Sequence, residues 1–347
     1  MMGQAISSQP KKHHQEFQIH GVMKHLIMEL YQPVQVEDAL AIADRLAERG
    51  WLVGGGQDTY GWLKDRAKSA DALIDLSGIE ALRGIRETSD GIEIGALTTL
   101  TEITQSDLIS ERYSVLSEAA KVVASLQIRN IGTLGGNISQ DVRCWYYRRG
   151  LSCYRAGGNL CYADTPQGMN REHALFEASR CVAASASDTA PALVALDATM
   201  VIRSVDGERT VSAEDYFVGP ALDIENTTAL NPGEILTAVR IPSTWANAVH
   251  YFEKVADRNV WDFSLVNVAA VFRVNGGTIE DSRIVAGAVQ ATPRRLLNVE
   301  SAVRGQSKDA ATAEAAAPRA IEGARALAHN GFKIPLLQNL VKRAIAA

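Results

Sequence analysis

Cysteine is absent from nine-tenths of this 347-residue chain. All four cysteines, Cys144, Cys153, Cys161 and Cys181, fall within one 38-residue stretch. No C-x-x-C pair occurs among them, which argues against a zinc ribbon or knuckle. No run of eighteen apolar residues is present, so no helix should span a membrane. Excess positive charge is also missing. Thirty-five Lys and Arg face 40 Asp and Glu, a net charge of −5 that argues against a nucleic-acid or anionic-membrane surface. Neither G-x-G-x-x-G nor a glycine loop followed by Gly-Lys-Ser/Thr appears, which leaves out the common dinucleotide and P-loop signatures. Residues 1–22 lack an apolar core and a twin-arginine pair, and are expected to form a flexible tail. The expected compartment is therefore the cytoplasm, or the periplasm if a partner carries the export signal.

What is present reads as an α/β chain of two or three units, with 46% apolar residues to build its cores. Val36 to Arg49 has the apolar spacing of an amphipathic helix, closed by Gly50. Trp51 to Val53 is strand-like and runs into Gly54-Gly-Gly56; Ala72 to Leu76 is a second such run. Gly91 to Leu97 alternates as a half-buried strand, Thr98 and Thr99 introduce a helix at Leu100, and Ser114 to Val123 suits another. Thr189 to Arg203 and Glu208 to Val211 read as strands, and Pro242 marks a boundary. Beyond it, Val266 to Val274 and Arg283 to Val289 read as strands, and the alanine-rich 310–328 segment as a helix interrupted at Pro318.

Two glycine loops, Gly54-Gly-Gly56 and Gly132-Thr-Leu-Gly-Gly-Asn137, carry chemistry. Backbone N–H groups can converge on a pyrophosphate only where side chains do not intervene, and glycine removes them. Each loop alone is as easily a tight turn. Asp58 and Asp188 could hold a ribose or a backbone amide, although an acid after a loop is commonly a cap. The cysteines are separated by eight, seven and nineteen residues. Four thiolates so spaced suffice for a [4Fe–4S] cluster if the fold gathers them. Zinc, disulfides and four ordinary buried thiols remain the alternatives. Arg143, Trp145, Tyr146, Tyr147, Arg148 and Arg149 surround the first cysteine with aromatic cover and positive charge. With four cysteines completing a ligand set, His173 is expected to face solvent.

The order Val53-Gly-Gly-Gly-Gln-Asp58, Gln127-Ile-Arg-Asn-Ile-Gly-Thr-Leu-Gly-Gly-Asn137, Ser187-Asp-Thr-Ala-Pro191 and Lys254-Val-Ala-Asp-Arg258 resembles the FAD-binding medium subunit of molybdenum hydroxylases, the xanthine dehydrogenase and carbon monoxide dehydrogenase family. The first loop departs from the usual Ala-Gly-Gly-Thr by carrying Gly54 and Gln57. The cysteine stretch stands where aldehyde oxidoreductases of the periplasmic type and 4-hydroxybenzoyl-CoA reductase carry a [4Fe–4S] insertion.

The resemblance implies an α+β fold: a PCMH-type FAD-binding domain of two α/β subdomains over residues 23–243, with an iron–sulfur insertion at 138–186, then an α+β C-terminal domain at 244–347. It implies that Val53, Gly54, Gly55, Gly56, Gln57, Asp58 and Thr59, with Thr133, Leu134, Gly135, Gly136 and Asn137, cradle the FAD pyrophosphate. Asp188 would hold the adenosine or ribitol side, Ile235 and Leu236 would line the flavin site, and Lys254 would place positive charge near the flavin. Cys144, Cys153, Cys161 and Cys181 would bind the cluster, and this chain is expected to contribute no catalytic acid or base. The implied partners are a large subunit with the molybdenum cofactor, a small subunit with [2Fe–2S] clusters and an external electron acceptor. Aldehyde is the first substrate class implied by the insertion, with an N-heterocycle or an aroyl-CoA behind it. Two other readings stand beside this one: a self-sufficient PCMH-type flavin oxidoreductase, and a non-catalytic zinc-bearing assembly protein.

Overall fold

The computed structural model describes residues 28–347, so the tail expected at 1–22 lies outside the described residues. Three sheets organise the chain. The first is small and parallel, of β1 (Glu29–Tyr31), β2 (Gly50–Val53) and β3 (Ala72–Asp75) in the order β1-β3-β2. The helix Val36–Leu46 covers it, burying Val36, Ala39, Leu40, Ala43 and Leu46 as its apolar spacing requires.

The second sheet is antiparallel, in the order β4-β5-β8-β6-β7: β4 (Ile85–Thr88), β5 (Gly91–Gly95), β6 (Thr199–Ser204), β7 (Gly207–Ser212) and β8 (Ile235–Pro242). The third, also antiparallel, has the order β12-β11-β10-β9, built from β9 (Val249–Val255), β10 (Val266–Asn275), β11 (Thr278–Gly287) and β12 (Arg294–Arg295). The result is a mixed α/β arrangement followed by an α+β C-terminal unit, the fold class that the sequence led us to expect.

Local signals explain much of this. Thr99 caps the helix Leu100–Gln105 in a reciprocal capping box with Glu102. Two readings need correction, and one helix went unread. Thr189–Ala195 is a helix, not the start of a strand; all seven residues are buried, so no polar face reveals the helical period. It packs against the helix Ser114–Lys121 and against β10 and β11, joining the two halves of the molecule. The alanine-rich helix is short, Ala310–Ala316, followed by a 3-10 turn through Pro318. Lys333–Ala346 is a fourteen-residue helix that the pattern did not reveal, because its first turn carries Pro335 and no side chain caps it. Its buried face completes the C-terminal core.

Candidate functional site

Two neighbouring hollows carry the chemistry. The larger, of about 580 Å³, lies where the two glycine loops meet, within the size range of small-molecule sites. Gly54, Gly55, Gly56, Gln57, Asp58, Thr59, Thr133, Gly136, Asn137 and Asp188 all line it. The first loop leaves β2 and enters the helix Thr59–Lys64. Among the described residues, the backbone N–H groups of Gly55, Gly56, Gln57 and Asp58 donate to no protein acceptor. Such groups demand an outside partner.

The second loop is held by backbone hydrogen bonds of 2.9 Å from Leu100 N–H to Gly132, Leu134 N–H to Thr98 and Gly135 N–H to Ala96. Thr133 caps the short helix Leu134–Ile138 by accepting from Gly136 N–H. The two loops touch so closely that a Cβ at Gly55 would overlap the Ile131 carbonyl. A Cβ at Gly54 would lie 3.0 Å from the Thr133 hydroxyl, which suits glycine where alanine is usual. Gln57 turns its amide back onto the Gly55 carbonyl at 3.2 Å.

Other anticipated residues stand behind the cleft wall. Val53, Leu134 and Gly135 are buried. Ile235 and Leu236 belong to β8 and point into hydrophobic cores rather than the cleft. Asp188 lines the cleft, but its carboxylate accepts from Ser264 Oγ at 2.6 Å, Asn267 Nδ2 at 2.9 Å and Lys254 Nζ at 2.7 Å. Lys254 also donates to the carbonyls of Val122 and Asp262. Its charge is thus compensated by Asp188 in a buried pair, and it reaches the cleft through Asp262, a lining residue. The same loop sets Trp261 at the cleft mouth with φ +80°.

The second hollow is lined by all four cysteines. It is narrow, about 10 Å³, room for roughly one water. The cysteines form no disulfide. Among the described residues, no three His, Cys, Asp or Glu side chains close on a single point as one metal ion would require. Burial pushes the Cys144 thiol up to about 11, and Cys161 rises for the same reason. Both are therefore neutral sulfhydryls. The walls are irregular backbone with one short helix, Trp145–Arg148, and a 3-10 turn at Tyr154–Ala156.

Charged side chains bind the two hollows together. Asp58 lies 3.1 Å from Arg143 and 2.7 Å from Arg148 and accepts from Asp141 N–H at 3.0 Å. Asp141 in turn takes Lys68, the Tyr147 hydroxyl and Arg155. Trp62 packs edge-on against Tyr147 at 4.9 Å, with Arg148 over its face.

His173 is not solvent-facing as expected. It is 4% exposed, with Nε2 3.3 Å from Cys144 Sγ. Burial, aided by the charge of Lys333, lowers it to about 4, so the ring is neutral. Its backbone carbonyl accepts from Asn330 Nδ2 and from Lys333 Nζ, a fully buried lysine that also donates to the carbonyls of Glu172 and Ala288. Nothing in the local sequence signals the contacts of Asn330 and Lys333 with Glu172 and His173, 157 to 161 residues away.

Comparison with known proteins decides the family. The model of the FAD binding domain in molybdopterin dehydrogenase matches residues 25–244. That of the CO dehydrogenase flavoprotein C-terminal domain matches residues 250–347. The chain is an FAD-binding medium subunit of the molybdenum hydroxylase family. This medium subunit is 30% identical to the aldehyde oxidoreductase FAD-binding subunit PaoB of Escherichia coli, covering 91% of this chain and 96% of that one. It is 28% identical to the carbon monoxide dehydrogenase medium chain of Hydrogenophaga pseudoflava, over 92% and 96% of the two chains. A solved structure of carbon monoxide dehydrogenase from Hydrogenophaga pseudoflava superposes with a TM-score of 0.73 at 27% identity, again over 92% and 96%. The medium subunit is therefore an oxidoreductase component that binds FAD. Among the described residues, no helix is long and apolar enough to cross a membrane.

Proposed function

We propose that this medium subunit carries electrons from a partner's molybdenum site, through its FAD, to an external acceptor. The observation that carries this reading is the cleft between the two glycine loops, with four consecutive N–H groups turned to no protein acceptor. Those amides and the backbone of 133–137 would take the FAD pyrophosphate, as anions are taken by backbone nests. FAD, when bound, supplies the carrier that accepts and releases electrons. The chain's part is to hold and screen it. The Lys254–Asp188 pair fixes Asp262 and thereby the loop bearing Trp261; Asp58 ties the first loop to the cysteine-bearing segment. Ile235 and Leu236 support the wall from behind.

We further assign Cys144, Cys153, Cys161 and Cys181 to a [4Fe–4S] cluster. What supports it is the donor set: all four cysteines, none in a disulfide, line one hollow, and four is the number that one cysteine per iron requires. At about 10 Å³ the hollow would have to widen to admit an inorganic core. The division at 243/244, with the insertion at 138–186, is kept as part of this reading.

The substrate would be oxidised on the large subunit, whose molybdenum cofactor passes electrons through the [2Fe–2S] clusters of the small subunit. The aldehyde oxidoreductase relative favours an aldehyde. The test is anaerobic. The purified chain should lose its flavin colour with dithionite but not with aldehyde, and should lose it with aldehyde once the large and small subunits are added. Aldehyde-driven bleaching by the chain alone would contradict the proposal and favour a self-sufficient flavin enzyme.

A further inference from the structure

We propose that His173 is an outer hydrogen-bond donor to the sulfur of Cys144, set there by the C-terminal domain to raise the reduction potential of the iron–sulfur centre. This rests on the cluster assignment above. Nε2 lies 3.3 Å from Cys144 Sγ, yet His173 does not line the hollow that the four cysteines share. The ring therefore meets the sulfur from outside the ligand set.

A cysteine bound to iron is a thiolate and has no proton to give. The hydrogen between the two atoms must then come from the ring, which fixes the Nε2–H tautomer. Nδ1 is left bare, and among the described residues it has no partner. A buried lone pair without a donor is a smaller cost than an orphaned N–H.

The ring is held in place from a distance. The backbone N–H of His173 donates to the Asn170 carbonyl at 3.1 Å. The His173 carbonyl is gripped by Asn330 at 3.1 Å and by Lys333 at 2.9 Å, both from the C-terminal unit. Asn170 accepts from His329 N–H in the same way. A domain without cysteines thus positions a donor against one of the cluster's ligands.

A cluster held by these cysteines would gain negative charge on its sulfurs on one-electron reduction, with no proton moved and no bond broken. A donor to sulfur stabilises that reduced state, and hydrogen bonds to sulfur are among the levers that set cluster potentials. The experiment uses the full chain with its cluster, titrated anaerobically and followed by EPR, with iron and sulfide quantified. His173→Leu and His173→Phe remove the donor, while His173→Gln keeps an N–H. We expect the donor-free variants to hold iron but to reduce at least tenfold less favourably, a shift of 59 mV or more to lower potential for a one-electron couple. The glutamine variant should return most of the way. Loss of iron in the donor-free variants alone, with glutamine at the normal potential, would also support the assignment. A full cluster with an unmoved potential would overturn the role of His173 alone. Loss of iron in all three variants would make it a ligand or a packing residue and overturn it as well. A parent chain that takes up no iron would overturn the cluster reading and this inference together.

Discussion

The flavin cleft and the cysteine hollow share a boundary at Asp141 and Val142, one residue lining each, yet they are held in shape by different means. The cleft is made of backbone. Its two loops are fixed by main-chain hydrogen bonds and by a contact too close for any side chain. The cysteine hollow is made by side chains on irregular backbone, anchored to one domain by Asp58, Asp141 and Trp62 and to the other by Asn330 and Lys333. The backbone-built site depends on the glycines that let its loops meet, the side-chain-built one on its anchoring residues. The contrast assigns different vulnerabilities to the two regions.

The largest expected effect on flavin binding comes from breaking the backbone contact. Gly55→Val would drive side-chain atoms into the Ile131 carbonyl and push the loops apart. Overpacking of this kind costs ~1–3 kcal/mol, so flavin affinity should fall about tenfold or more. Flavin released per chain after gel filtration measures it; full retention would mean that the loops tolerate separation.

Next comes the staple of the cysteine segment. Lys333→Met removes an ammonium that serves three buried carbonyls. The expected loss is about 3 kcal/mol, read as a lower thermal midpoint and as new protease cuts between 150 and 180, with flavin content nearly unchanged. Lys333 also gives a pH signature. Burial lowers it to about 7, against an unfolded value near 10.4. Between those values the unfolded chain binds more protons than the folded one, so stability should rise with pH, by up to ~1.4 kcal/mol per unit from this group. Below about pH 7 its contribution is flat. Equilibrium unfolding from pH 7 to 10 would show the slope, and the methionine variant should lose it.

Asp58→Asn should have the smallest effect. It weakens the link between the two regions while sparing both frames, because the amide oxygen can still accept from Asp141 N–H. Arg143 and Arg148 would lose their compensating charge. A two- to fivefold rise in the flavin dissociation constant, about 0.4–1 kcal/mol, is expected in fluorescence titration. An effect as large as that of Gly55→Val would erase the distinction between the regions.

The contrast also explains what could be read from the chain. The cleft was legible because glycine at 54–56 and 132–136 has a physical reason that shows in the sequence. The capping box at Thr99 was legible for the same local reason. The helix Thr189–Ala195 was not, since complete burial removes the alternation that separates helix from strand. Ile235 and Leu236 look like site residues beside Gly233, but strand register sends them into the cores. Gathering of the cysteines was foreseeable from their confinement. The burial of His173 was not, because its partners Asn330 and Lys333 lie in another domain.

On the proposed reading, one chain holds a flavin in a backbone cleft and an iron–sulfur cluster in the hollow beside it. Absorption and EPR spectra of the anaerobically purified chain, with flavin and iron quantified, test both cofactors at once. The expected result is one FAD and about four irons per chain, with a [4Fe–4S] signal after dithionite. Flavin with zinc, or with no metal at all, in a fully folded chain would contradict it.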